Sequence, residues 1–155
     1  MVEVKKELIN LLLYSLTSSI SDLFGVSTPA IVRRIGNSLL KRAEERKWIP
    51  HDISDPMVAL NELFSHYSEC NYCDEAHAER VDNHIVIRCD KIVDYERIER
   101  LAREGRHTCM FISALAMAFL NDYFNISVVL LQTRFRLIPE ERGTEEVLEL
   151  VSVGG

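Results

Sequence analysis

The chain has 155 residues, 47% of them hydrophobic and 27% charged, with a formal net charge of −6. That length suits one domain with a real core and is too short to expect two, so residues 1–155 are read as a single domain. The acidic balance argues against nucleic acid as a partner, because a phosphate backbone is bound by a basic face.

Leu8 to Leu16 is apolar, but serine and threonine follow it and no small-residue cleavage site is clear, so no signal peptide is read and a cytoplasmic location is expected. The first helix is expected over Val4 to Leu23. Its apolar positions, among them Leu8, Leu11, Leu12, Leu16 and Ile20, exceed a single stripe, as in a helix covered on two sides, often by a second subunit. Gly25 ends it. Ser27-Thr28-Pro29 then gives a capping hydroxyl followed by proline at the first helical position, opening a helix to about Lys47. Its inward side carries Ile31, Val32, Ile35, Leu39, Leu40 and Ala43. Gly36, in mid-helix, costs about 1 kcal/mol against alanine, which is explained if another backbone packs tightly there.

Asp55-Pro56 repeats the start signal for a third helix, Met57 to about Ser68. From Glu75 the period changes to two, with short strands at Glu75 to Arg80 and His84 to Cys89 around a Val-Asp-Asn turn. Asp94 is expected to cap a short charged helix to about Arg103, ended by Gly105. The run from Cys109 to Leu120 is apolar on every side apart from Ser113, so it is a buried central helix with Thr108 as its cap. A membrane span needs about 20 apolar residues, and this run stops well short, so integral membrane association is not expected. Ser127 to Ile138 and Glu145 to Val153 form a hairpin around Pro139-Glu140-Glu141-Arg142-Gly143-Thr144. The order predicts an α+β fold, with helices packed on one face of a small antiparallel sheet.

The cysteines are the sharpest local chemical signal. Cys70 and Cys73 are spaced so that both thiols can reach one Zn²⁺, with His77, Cys89, His66 or His84 as further ligands. Pairing of the two strands would bring Cys89 back near Cys73. The alternative is two cysteines at a helix end, one of them buried. Redox catalysis by this CxxC is not expected, because the motif follows a helix instead of opening one. Cys109, at a helix start and close to His107, is either a nucleophile with its base or a small buried hydrophobe. Arg33-Arg34 offers a guanidinium for a carboxylate or phosphate head group, or is a solvated helix face.

Three stretches, Glu7 to Asp22, Arg33 to Leu40 (RRIGNSLL) and His107 to Arg136, taken in this order, resemble the superfamily that joins the 4-vinyl-reductase-type domain of prokaryotes to the small subunits of the TRAPP vesicle-tethering complex. The resemblance implies a TRAPP-subunit-like fold, homodimers through the N-terminal helices, and an apolar cavity for a hydrocarbon, aromatic or acyl ligand, without catalysis. Carried onto this sequence, the ligand would be lined by Leu12, Leu16, Arg34, Ile35, Leu39, Phe111, Leu115 and Phe119. Two departures stand against parts of the family pattern. The last hairpin has no cysteine where metal-binding members carry them, and Trp48 to Ile53 has none where acylated subunits do. The expected function is therefore a non-enzymatic, homodimeric sensor or carrier of a hydrophobic small molecule. An assembly scaffold with a solid core, or a zinc-stabilised protein using Cys70 and Cys73, are the alternatives.

Overall fold

The computed structural model describes residues 6–24, 28–106 and 111–151. Its helices are α1 (Lys6–Phe24), α2 (Thr28–Glu45), α3 (Pro56–Glu69), α4 (Tyr95–Arg103) and α5 (Phe111–Phe124). Its strands are β1 (Glu75–Val81), β2 (His84–Asp90), β3 (Val128–Leu130), β4 (Arg136–Ile138) and β5 (Gly143–Leu150). The fold is α+β, as expected. The caps proposed at Ser27 and Thr108, the stop at Gly25, and His107 and Cys109 lie outside the described residues. The start of α3 follows its sequence signal closely. The Asp55 carboxylate accepts from the N–H groups of Met57 and Val58 at 2.9 and 3.1 Å, with Pro56 in the first turn.

The sheet is antiparallel in the order β1-β2-β5-β3, and β4 pairs with the same edge of β5 as β3 does. The β1–β2 hairpin turns at Asp82, which takes a left-handed φ of 53°. Where the sequence suggests one β segment from 127 to 138, the structure has two. Leu130 pairs with Leu148 and Arg136 with Glu145, so residues 131–135 lie opposite only 146 and 147. The surplus is lifted out as a 3₁₀ turn at Gln132–Arg134. Those three polar residues are exposed there, while Phe135 and Leu137 return to pack on the core. A bulge keeps the apolar residues on the buried side without breaking the alternation of β5.

Period-two alternation aligns Ile85, Ile87 and Cys89 of β2 with Leu148, Glu146 and Thr144 of β5, all buried, on the face that carries the core. The free edge of β1 is closed by a side chain of α3. Asn61 accepts from the Ala78 N–H at 2.7 Å and donates to the Ala78 carbonyl at 2.9 Å, which occupies the groups a further strand would need. α5 is buried from Ile112 to Ala116 and again from Ala118 to Leu120. Its small residues serve close packing against α2. A Cβ built on Gly36 would lie 2.2 Å from the Ala114 carbonyl oxygen and 2.8 Å from its carbon. Gly36→Ala should therefore destabilise the protein by about 1–3 kcal/mol through overpacking, although alanine is the better helix former. Urea denaturation checks this, and a variant as stable as the parent would show that α2 and α5 can separate at no cost. Among the described residues no helix is long and apolar enough to cross a membrane.

Candidate functional site

The buried polar residues gather where α4 meets α1, α5 and the sheet. Asp94 precedes α4 but makes no capping bond with its side chain, contrary to the cap expected there. Its oxygens are taken by other groups. Arg97 donates to Asp94 Oδ2 through Nε and Nη2 at 3.1 and 2.7 Å, and the Tyr72 hydroxyl donates to Oδ1 at 3.3 Å. Both charged side chains are fully buried. α1 completes the cluster. The Arg97 backbone N–H donates to Asn10 Oδ1 at 3.1 Å, Asn10 Nδ2 donates to the Val93 carbonyl, and Arg97 Nη1 donates to the Thr17 hydroxyl at 3.3 Å. The guanidinium also lies 4.9 Å from the centre of the Phe111 ring. α1 is thus pinned to α4 by polar contacts, which leaves its leucines free to face elsewhere.

Glu146, in the middle of β5, is 2% exposed, and among the described residues neither carboxyl oxygen has a hydrogen-bond partner. Burial pushes its pKa up to about 8, against the pull of the Arg97 guanidinium. Near neutral pH it is therefore largely a neutral acid in the interior. Opposite it on β2 is Ile87, and Cys89 is one step further along the same face.

The proposed metal ligands do not converge. Cys73 and Cys89 are buried side by side, but Cys70 is exposed at the end of α3, and His77 pairs with Arg88 on the opposite face from Cys89. Among the described residues no group of three or more His, Cys, Asp or Glu side chains is arranged to hold a metal ion. A strand sends successive side chains to opposite faces, so His77 cannot join a cluster built on Cys89.

The proposed ligand-lining residues are dispersed as well. Leu12 and Leu16 are 59% and 60% exposed on the outer side of α1, with Leu8 and Leu11 beside them. Leu115 and Phe119 are fully buried in the main core. Ile35 and Phe111 meet in a small second cluster with Val32 and Ala114, while Leu39 packs on the main core. Arg34 is exposed. At 100° per residue it lies almost opposite the buried stripe of Val32, Gly36 and Leu40, whereas Arg33 flanks that stripe. Arg33 and Asn37, with Asn121 and Asp122 across from them, line an open groove of about 390 Å³ between α2 and α5, over Val32, Ala114, Met117 and Ala118.

Sequence reasoning took Asp94 only for a helix cap and did not single out Arg97 or Glu146. The Asp94–Arg97 spacing of i, i+3 carried little signal, because the more exposed charge pairs Glu99–Arg103 and Arg100–Glu104, at i, i+4, follow it along α4 and its C-terminal end. Glu146 was legible. Counting in twos from Leu148 and Leu150 puts it on the inward face of β5. No family model matches the chain, and no curated protein matches it either.

Proposed function

We propose that the protein is a non-catalytic binding module that works as a homodimer through α1 and holds an apolar or amphiphilic small molecule. The observation that carries this reading is the leucine stripe. Leu8, Leu12 and Leu16 recur every fourth residue at 47%, 59% and 60% exposure, with Leu11 at 54% next to them. Such a row on one helix is what a partner helix covers. The α2–α5 groove supports the ligand part. Its volume of about 390 Å³ is in the range of small-molecule sites, Val32, Ala114 and Met117 give it apolar surface, and Arg33 and Asp122 supply one cation and one carboxylate for a polar head group. The motif resemblance points the same way, to a sensor or carrier of a hydrophobic molecule.

The tight Gly36–Ala114 contact favours a second reading, an assembly scaffold whose interior is solid. Native mass spectrometry and light scattering separate the two. A dimer that releases an extractable lipid-like molecule supports the carrier, and a dimer with none supports the scaffold. Burying a leucine is worth about 1.5–3 kcal/mol, so the Leu12→Glu/Leu16→Glu variant should raise the dimer dissociation constant at least a hundredfold. A parent protein that stays monomeric at high concentration rules out both.

A further inference from the structure

We propose that Cys73 and Cys89 form an oxidisable dithiol, closed to a disulfide by a small peroxide. The backbone holds them at one place. On either side of Cys73 the chain is bonded to the segment that follows Cys89, through Val93 N–H to the Tyr72 carbonyl at 2.9 Å and Asp74 N–H to the Asp90 carbonyl at 3.0 Å. Cys89 itself is fixed between Ala76 and Thr144 in the sheet. Both thiols belong to the same buried cluster, with 3% and 1% exposure.

The two are not equivalent. Interaction with Cys89, and the Ser68 hydroxyl 3.8 Å away, hold the Cys73 thiol below the usual range, whereas Cys73 and burial hold Cys89 well above it. The Ser68 hydroxyl beside Cys73, a partner that can donate to its thiolate, assigns Cys73 as the nucleophile. Its thiolate attacks one peroxide oxygen, the O–O bond breaks, and the second oxygen leaves as water after taking a proton, giving the Cys73 sulfenic acid. The Cys89 sulfur then attacks the Cys73 sulfur, the S–O bond breaks, and hydroxide leaves as water with the Cys89 proton. Two thiols and one peroxide become one disulfide and two waters. The burial of both sulfurs selects a small oxidant over a bulky disulfide. The bond would tie the loop after α3 to the end of β2.

The test uses the full chain, reduced, desalted, treated with hydrogen peroxide, blocked with N-ethylmaleimide in denaturant and mapped by mass spectrometry. The expected product is a Cys73–Cys89 cross-linked peptide. Cys89→Ser should instead accumulate a dimedone-reactive sulfenic acid at Cys73, at least tenfold above the parent. A Cys70–Cys73 link overturns the proposal, as does maleimide on both Cys73 and Cys89 once exposed Cys70 has been oxidised. Should Cys89→Ser not fold, the map of the parent protein decides alone.

Discussion

Arg97→Met is expected to destabilise the protein by about 3–5 kcal/mol, the cost of leaving a buried carboxylate without its cation. Asp94 and Arg97 are both fully buried, and two of the guanidinium nitrogens donate to one Asp94 oxygen. With arginine removed, the Tyr72 hydroxyl at 3.3 Å is the bond to Asp94 that remains among those described above. The methionine also gives up the bond to Thr17 and the contact over Phe111, so α1 should loosen along with α4. The double variant Asp94→Leu/Arg97→Met removes the stranded charge and should recover much of the loss, because a buried pair replaced by apolar groups of similar volume is often neutral. Urea denaturation of the two single variants and the double gives the coupling directly. Additive losses would mean that the pair does not act as a unit.

Glu146 should make stability fall as pH rises, the reverse of a carboxylate held by a salt bridge. Its pKa in the folded protein, about 8, is above the ordinary value of 4.5, so the folded chain keeps a proton that the unfolded chain releases. The stabilisation is complete below about pH 4.5, shrinks through the interval up to about 8, and is gone above it. The total is up to about 5 kcal/mol. Glu146→Gln removes the titration. The difference between parent and variant should be near zero at pH 5, and the variant should be the more stable at pH 9. Arg97→Met takes away a cation that favours the ionised acid, so in that background the interval over which stability falls should still begin near pH 4.5 but extend to higher pH. A difference that stays flat between pH 5 and pH 9 would place the Glu146 carboxyl in contact with water.

How much of this was legible in advance depended on whether the signal was local. The Asp55-Pro56 start of α3 and the β1–β2 hairpin are set within a few neighbouring residues, and the structure has both where the pattern places them; the apolar run of α5 is helical and buried over its described part, from residue 111 on. Gly36 is an intermediate case. Its cost in a helix announces a close approach, but only the packed structure names Ala114 as the backbone that approaches.

The site was less legible, because it depends on which faces meet. The same apolar letters put Leu115 and Phe119 in the core and Leu12 and Leu16 at the surface of α1, since α1 docks on α4 through Asn10 and Thr17 and turns its leucines away. A charge pair reads alike whether exposed or buried, so Asp94–Arg97 could not be told from its solvated neighbours on α4. Cys70, Cys73 and His77 are close along the chain, yet strand alternation sends His77 to one face while Cys73 joins Cys89 on the other. By itself, then, the sequence determined the elements, their order and the α+β class, because helix caps, turn residues and periodicity act within one or two turns of chain. The tertiary structure decided which side chains are buried together, because burial follows from the packing of elements far apart in sequence.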